Sequence, residues 1–276
     1  MKHLDSIKIQ KIDQIRIPDR PFTRQNNAFC FLQEDLRPDK STGSGLLADF
    51  QKFLKKFGKL YYFLLKIFAP VLLSTKYQGQ LKSLLARHDE TKIIVNLGSG
   101  PAILHNRADI INIDIFAFNE VDIVADAVDL PIKDNSVDLI INTAMLEHVE
   151  NPETIIREMH RMLKKDGDFF CYLPFMAPFH AAPNDFHRWT IEGARHCFEM
   201  FRQADVTIGA GPTSGLLWVV QEWLAILFSF GSRTIHDTVF ILLMVLTAPI
   251  KLADLLLVHF PGAEKIASGF LITGKK

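Results

Sequence analysis

Between residues 91 and 175, short apolar runs alternate with stretches of helical periodicity, and this alternation restricts the fold more than any other feature. Such an order is typical of βαβ units, whose strands form a parallel sheet. One amphipathic helix is predicted over Thr154–Lys165, and Thr190 is expected to cap a helix that runs to about Phe201. The predicted strands are Lys92–Leu97, Asp109–Asp114, Asp122–Val124, Val137–Asn142, Gly167–Leu173, Ala204–Ile208 and Gly269–Thr273.

The flanking segments differ from this middle region. Residues 1–45 are interrupted by prolines and glycines, keep no period and are predicted to be an irregular or partly disordered arm. Leu46–Phe68 has Phe and Leu at steps of three and four with lysines alongside, which predicts a basic amphipathic helix. We therefore divide the chain into an N-terminal arm with this helix, residues 1–90, and a main domain, residues 91–276. An apolar helical hairpin is predicted as an insert at about 214–260.

Charge and cysteine content exclude several classes of protein. The net charge is zero, yet residues 1–90 hold 16 Lys and Arg against 9 Asp and Glu, and residues 91–205 hold 10 against 18. An acidic middle argues against a nucleic-acid-binding protein with a cationic surface. Three cysteines without a CxxC pair exclude a disulfide scaffold and a cysteine zinc ribbon. The N-terminal residues lack an apolar run of signal-peptide length.

Two short motifs follow the first two predicted strands. Gly98 and Gly100 stand at a strand-to-helix turn, where glycine lets the backbone approach a ligand, although tight structural turns also use such a pair. Asp114 ends the second strand, where a carboxylate can accept both hydroxyls of a ribose or can cap a helix. A dinucleotide fold would have a third glycine where this chain has Ile103, so NAD is disfavoured.

A longer motif runs from Ala125 to Ile140, with Asp126-Ala127, Leu130-Pro131 and Asp134-Asn135-Ser136-Val137-Asp138, and leads into Leu146-Glu147-His148-Val149. This ordered set resembles the class I S-adenosylmethionine-dependent methyltransferases, specifically the type 11-like methyltransferase domain family. The resemblance covers roughly residues 92–210, with a final strand near the C terminus. It implies an α/β, Rossmann-like seven-stranded sheet whose last strand is antiparallel, and an enzyme with S-adenosyl-L-methionine as cofactor.

The resemblance also implies a cofactor site. The glycine loop would line the methionine and ribose, Asp114 would hold the ribose hydroxyls beside Ile115, and Asp126 and Ala127 would meet the adenine. Asn96 replaces the usual acidic residue, and Pro101-Ala102 fills the third small position of the loop. The full set of cofactor candidates is Asn96, Gly98, Ser99, Gly100, Asp114, Ile115, Asp126, Ala127 and Asn142.

Catalytic candidates follow the fourth and fifth predicted strands. A hydroxyl nucleophile benefits from a general base, and histidine suits neutral pH. His148 ends the fourth strand, where it could equally be a helix-start residue bonded to backbone. The segment Pro174–Thr190 resembles one in methyltransferases encoded with glycan and lipid biosynthesis genes. The catalytic candidates are His180, Asp185, His148, His187 and Arg188; a metal on His180, Asp185 and His187 is disfavoured, and no metal is expected.

The function predicted from these features is O-methylation of a sugar or lipid-linked acceptor at a membrane surface. The alternatives are a C- or N-methyltransferase of a small metabolite or quinone, and a non-catalytic membrane-associated protein that keeps the fold. Leu216–Phe230 is short for a membrane span, and Val239–Val258 contains Pro249, Lys251 and Asp254, so a shallow monotopic hairpin is favoured over two spans. Helices packed on the sheet or in a dimer remain open. A cytoplasmic protein, peripheral or monotopic on the membrane, with no nucleic-acid partner is expected.

Overall fold

A computed structural model describes residues 6–25, 28–32, 63–64, 67–101, 107–180 and 183–276. The predicted basic helix over Leu46–Phe68 lies outside the described residues, apart from 63–64 and 67–68.

The described residues form one nine-stranded sheet with the order β1-β2-β5-β4-β3-β6-β7-β9-β8. All seven predicted strands are confirmed, with bounds shifted by a few residues. Strand β9 pairs antiparallel with both β7 and β8, as predicted for the last strand. The strands are β1 Thr23–Gln25, β2 Ala28–Cys30, β3 Ile94–Leu97, β4 Ile111–Asp114, β5 Ile123–Val124, β6 Val137–Thr143, β7 Leu163–Pro174, β8 Arg202–Ala210 and β9 Gly269–Lys275.

Alternate residues of a strand point to opposite sides of the sheet, so the sheet has two apolar faces, and helices cover both. On β3, Val95 faces the larger core layer, whereas Ile94 faces the layer beneath α2. The helices are α1 Ser6–Ile15, α2 Thr75–Arg87, α3 Pro152–Met162, α4 Ile191–Cys197, α5 Pro212–Phe228, α6 Arg233–Thr247 and α7 Asp254–Leu257, with 3₁₀ turns at Leu146–His148, Ala248–Ala253 and Ala263–Ile266.

The helix predictions are confirmed in type and corrected in length. Helix α3 presents its predicted apolar face to the core and ends at Met162, because Leu163 already pairs with β6. Thr190 caps α4 as predicted, its side chain accepting from the N–H of Gly193 at 3.1 Å. That helix ends at Cys197 rather than near Phe201.

The prediction of an irregular arm over residues 1–45 is wrong for the part that the structure describes. Helix α1 buries Ile12 and Ile15 in the main core. Strands β1 and β2 form an antiparallel hairpin, and β2 pairs parallel with β5, which enlarges the predicted seven-stranded sheet to nine. The hairpin was not predicted because its three-residue strands are too short to show a period and its partner β5 lies far away in sequence. The division at residue 90 therefore separates two kinds of sequence and not two folded units, because the β1–β2 hairpin belongs to the same sheet as the main domain.

The apolar insert between β8 and β9 is a helical hairpin of α5 and α6. Its return is anchored by polar contacts, since buried Asp254 accepts from the N–H groups of Thr213 and Ser214 at 2.7 and 2.8 Å. Buried Lys251 donates to the carbonyl of Ala69 at 2.6 Å. The two charged residues that argue against a membrane span therefore fasten the return of the hairpin, Asp254 to the start of α5 and Lys251 to the segment before α2.

The sheet order places a ligand site. Strands β5-β4-β3-β6-β7 follow a doubly wound order whose direction of winding reverses between β3 and β6. Ligands of such sheets bind at the carboxyl ends of the strands beside this reversal. The segments that follow β3, β4, β5, β6 and β7 are the ones that meet there.

Candidate active site

The loop after β3 needs glycine at two positions. Gly98 and Gly100 have φ of +70° and +62°, a region that other residues rarely adopt. A Cβ on Gly98 would lie 2.3 Å from Cγ of Met145, which follows β6. The N–H groups of Gly98 and Ser99 donate to the carbonyl of Ile113 at 2.9 and 3.1 Å. The loop is thus folded tightly against β4, with its backbone at the carboxyl edge of the sheet.

Asp114 closes this loop from β4. Its Oδ2 accepts from the N–H of Gly100 at 2.8 Å, and its Oδ1 accepts from the N–H of Phe116 at 2.9 Å. Burial raises the pKa of Asp114, although these backbone donors oppose the shift. Each oxygen keeps a lone pair, so the carboxylate can still accept from two hydroxyl groups.

Two buried asparagines lie on the strands next to the loop. Asn96 donates through Nδ2 to Oδ1 of Asn112 at 3.1 Å, while its own Oδ1 is buried without a partner among the described residues. Asn142 is wholly buried, donates to the carbonyl of Leu97 at 3.0 Å and accepts from the thiol of Cys171 at 3.5 Å. Asn142 therefore ties β3, β6 and β7 together, whereas Asn96 keeps a free acceptor.

The other cofactor candidates stand at the ends of neighbouring strands. Ser99 is buried in the loop, and Ile115 directly follows β4. Asp126 follows β5 and accepts from the N–H of Val128 at 3.1 Å, beside the half-buried Ala127. The glycine loop and the Asp114 carboxylate fit the nucleoside part of S-adenosylmethionine, and the glycine loop and the free amide oxygen of Asn96 fit its amino-acid part. The role of each residue stays a prediction.

A second group lies across the reversal point, where the segment after β7 folds over the end of β6. Glu147 sits in the 3₁₀ turn after β6 and is 0% exposed. The Nε2 atoms of His148 and His180 each lie 3.8 Å from its Oε1. The two imidazole rings meet edge to face, with centroids 5.3 Å apart. We call Glu147, His148 and His180 the histidine–carboxylate cluster.

Backbone carbonyls fix both imidazoles of the cluster. Nδ1 of His148 lies 2.7 Å from the carbonyl oxygen of Asn184, and Nδ1 of His180 lies 2.9 Å from that of Pro178. A carbonyl only accepts, so the Asn184 contact places a hydrogen on Nδ1 of His148, whereas Nδ1 of His180 also lies 3.2 Å from the donor Nη2 of Arg188. Burial lowers the pKa of His180, but the Glu147 carboxylate and the Pro178 carbonyl outweigh it and raise that pKa overall.

Two of the remaining catalytic candidates, Asp185 and Arg188, shape the segment and contact the His180 ring of the cluster. Arg188 pairs with both oxygens of Asp185 at 2.6 and 2.7 Å and also donates to the carbonyls of Ala177 and Pro178. Burial opposes ionisation of Asp185, yet Arg188 holds its pKa at about 2. His187 lies apart, with Nε2 3.1 Å from the carbonyl oxygen of Glu150.

Sequence reasoning missed two members of this half of the site. Glu147 stands inside the quoted Leu146-Glu147-His148-Val149 motif, but only its histidine was weighed. A carboxylate in that apolar context was the available signal. Trp218 of α5 has its ring centroid 5.2 Å from that of His180, a contact with no signal in the sequence.

Comparison with known proteins supports the class of this domain. Residues 98–171 match the model of a family described as methyltransferase domain. A comparison with curated proteins gives no match.

Three solved structures illustrate the similarity. A possible histamine N-methyltransferase from Thermotoga maritima shares 17% identity over 82% of this chain and 98% of that chain, with a TM-score of 0.47. A putative sarcosine dimethylglycine methyltransferase from Galdieria sulphuraria shares 12% over 82% and 98%, with a TM-score of 0.44. Phosphoethanolamine N-methyltransferase 2 from Haemonchus contortus, in complex with phosphomonomethylethanolamine and S-adenosylhomocysteine, shares 13% over 72% of this chain, with a TM-score of 0.44. The chain spans about half, 52%, of that nematode enzyme.

The family match, the reversal of strand order and the glycine cradle define one class. Residues 98–171 match a methyltransferase domain, and the described sheet has a Rossmann-like strand order similar to that of class I S-adenosylmethionine-dependent methyltransferases. This match supports an enzyme with S-adenosyl-L-methionine as its cofactor.

Proposed function

We propose that this enzyme O-methylates a hydroxyl of a sugar or lipid-linked acceptor at a membrane surface. The observation that carries the proposal is the histidine–carboxylate cluster, which lies across the strand reversal from the glycine loop. The Trp218 contact links this cluster to the apolar hairpin.

The cluster favours a hydroxyl over an amine as the nucleophile. A neutral amine already has a free electron pair for attack, whereas a hydroxyl gains reactivity when its proton is removed. When bound, S-adenosylmethionine supplies an activated methyl group whose bond to sulfur breaks, leaving the electron pair on sulfur, as the acceptor oxygen takes the methyl. The remaining work falls to this chain, which must orient the hydroxyl and assist loss of its proton.

Asp185 and Arg188 have a positioning role in this proposal. The N–H of His180 donates to Oδ2 of Asp185 at 2.7 Å, and Arg188 holds the Pro178 carbonyl that fixes the His180 ring. These contacts set where His180 stands, and they bring Nη2 of Arg188 and Oδ2 of Asp185 to 3.2 and 3.7 Å from its Nδ1. The N–H of Phe186 donates to the carbonyl of Glu147 at 2.7 Å, which fastens the same segment to β6.

The hairpin supports a membrane-surface acceptor. Its solvent-facing side chains include Trp223, Ile226 and Phe230, which are 59%, 63% and 87% exposed. Contiguous exposed apolar surface of this kind is typical of a contact with a membrane or another protein. A lipid-linked substrate held at the hairpin would present its polar head beside His180.

The hairpin meets the length requirement for a membrane span in only one stretch. Among the described helices, Arg233–Leu257 has 25 residues, and an 18-residue window within it has mean hydropathy 2.2, so it is long and apolar enough to cross a membrane by length and composition. Its last turns are fastened to the segment before α2 through Lys251 and to the start of α5 through Asp254. These contacts support a monotopic hairpin over a span.

The activity is tested by incubating the enzyme with S-adenosylmethionine that carries a deuterated methyl group. The acceptors are matched fractions of lipid-linked glycans, free sugars, amines and quinones, and the products are read by mass spectrometry. Label on oxygen of a sugar or lipid-linked product supports the proposal. Label on nitrogen or carbon alone would replace it with one of the alternative reactions.

Membrane contact is tested separately by flotation with neutral and anionic vesicles. Wild-type protein is expected to float, and a triple Trp223→Ser, Ile226→Ser, Phe230→Ser variant is expected to stay in the dense fraction. Met200→Ser removes an equally apolar side chain that is 42% exposed beyond α4 and serves as the matched control. Wild-type protein that stays unbound at low salt would end the membrane part of the proposal.

A further inference from the structure

The histidine–carboxylate cluster contains a buried carboxylate, that of Glu147, whose negative charge has no hydrogen-bond donor among the described residues. Glu147 is wholly buried, and neither of its carboxylate oxygens has a hydrogen-bond partner among the described residues. A buried carboxylate without a partner is costly, because it loses its water and gains nothing in return. The two imidazole Nε2 atoms each lie 3.8 Å from its Oε1, beyond hydrogen-bond distance. A positive charge among the three groups, on a bound cation or a protonated imidazole, would neutralise Glu147.

We propose that the cluster of Glu147, His148 and His180 binds a divalent transition-metal ion of the zinc type. The three candidate ligand atoms all lie within 4.8 Å of one another, and both Nε2–Oε1 separations are 3.8 Å. Ligand atoms on one tetrahedral zinc ion lie about 3.4 Å apart, given bonds of about 2.1 Å. Small side-chain rotations therefore close the site around an ion.

The chemistry of the ligands selects the kind of ion. Two imidazole nitrogens and one carboxylate suit zinc, cobalt, iron, nickel and manganese, whereas magnesium and calcium prefer oxygen ligands. The carboxylate brings the negative charge that a dication needs in a buried setting. Three protein ligands leave at least one coordination position for another molecule.

The surroundings of the two histidines match those of metal ligands. A metal-binding histidine usually donates its second ring N–H to a backbone carbonyl or carboxylate, which fixes the tautomer. The carbonyls of Asn184 and Pro178 do this for His148 and His180. Both carbonyls belong to the segment that Asp185 and Arg188 fold, so that segment orients both imidazole rings.

The open position gives the ion a use in the proposed reaction. An acceptor hydroxyl that binds the ion there loses its proton to solvent water more readily, since a metal lowers the pKa of a bound hydroxyl. His180 has 31% of its side chain exposed, so the cluster is open to solvent and to an acceptor. This use depends on the proposed O-methylation, whereas metal binding itself does not.

The test is a titration of tag-free, metal-stripped protein with Co²⁺, followed by its visible absorption spectrum and by metal analysis after gel filtration. Wild type is expected to bind one equivalent with the spectrum of mixed nitrogen and oxygen ligation, and Zn²⁺ is expected to displace the Co²⁺. Glu147→Gln and His148→Asn are each expected to weaken binding at least tenfold. His196→Asn, on α4 with 79% of its side chain exposed, is the matched control and is expected to bind like wild type.

A second readout covers the case in which a cluster variant is poorly folded. Zn²⁺ is expected to raise the melting temperature of wild type and of His196→Asn, but not that of His148→Asn. Failure of wild type to bind Co²⁺, or equal binding by Glu147→Gln, would overturn the metal site and leave a protonated His180 as the partner of Glu147. S-adenosylhomocysteine binding is measured on the same samples, so a failed metal site is distinguishable from a failed methyltransferase.

Discussion

The two halves of the ligand edge are built in different ways. The cofactor half consists of turns directly after β3, β4 and β5, and its main contacts join the glycine loop to β4, as in the Gly100 N–H to Asp114 bond. The acceptor half is assembled from the turn after β6, the segment after β7 and helix α5. The first half depends on backbone geometry within a short stretch, whereas the second depends on side chains brought together from distant positions.

The largest expected difference between the two halves is that Glu147→Gln lowers turnover without changing cofactor affinity. Removal of the charge is expected to lower turnover by about 10²–10⁴-fold, the usual range for loss of acid–base assistance. Affinity for S-adenosylhomocysteine should change little, because Glu147 lies across the strand reversal from the glycine loop. Turnover is measured with the acceptor found by the labelled-methyl experiment, and affinity by calorimetry. Equal loss of both quantities would mean that the two halves are one unit.

Asp114→Ala is the converse variant. It removes an acceptor for two hydroxyls, and hydrogen bonds to a charged group contribute roughly 1.5–3 kcal/mol. Affinity for S-adenosylhomocysteine is therefore expected to fall about 10–100-fold, while Co²⁺ binding at the cluster stays unchanged. Asp205→Asn, which changes an exposed carboxylate on β8, is the control. An unchanged affinity in Asp114→Ala would remove Asp114 from the cofactor site.

Asp185→Asn tests whether Asp185 positions the segment around His180 or takes part in catalysis itself. Loss of the paired contacts with Arg188 is expected to lower the free energy of unfolding by about 1.5 kcal/mol, as for other charged hydrogen bonds. Urea unfolding of the variant beside wild type measures this. Because Asp185 acts through the backbone around His180, Asp185→Glu should restore part of the stability and of the turnover. A variant as stable as wild type would show that the pair does not hold the segment.

The smallest expected effect is a pH dependence of the cofactor half. Burial raises the pKa of Asp114 above its ordinary value near 3.8. Protonation removes the acceptor that the ribose needs, so affinity for S-adenosylhomocysteine should begin to fall at a higher pH than for an ordinary aspartate. The affinity is expected to be full at neutral pH and to decline as the pH is lowered through that raised pKa. Asp114→Asn should lack this decline, and calorimetry from neutral to acidic pH compares the two proteins.

The comparison also explains what could be predicted from sequence. The strands, the glycine loop and Asp114 follow from local patterns, since each depends on residues close together in the chain. The β1–β2 hairpin was missed because its pairing with β5 joins residues about ninety apart, such as Phe29 and Ile123. His148 and His180 were both candidates, but only the folded segment brings them to one carboxylate. Asp185 and Arg188 looked catalytic because sequence cannot show that they pair with each other.

The most direct test of the account is a calorimetric titration of the wild-type protein with S-adenosylhomocysteine, with the folded state checked by thermal unfolding of the same sample. One equivalent is expected to bind, to raise the melting temperature and to lose affinity in Asp114→Ala but not in Glu147→Gln. A folded wild-type protein that binds no S-adenosylhomocysteine would contradict the central claim that the edge beside β3 and β4 is a working cofactor site.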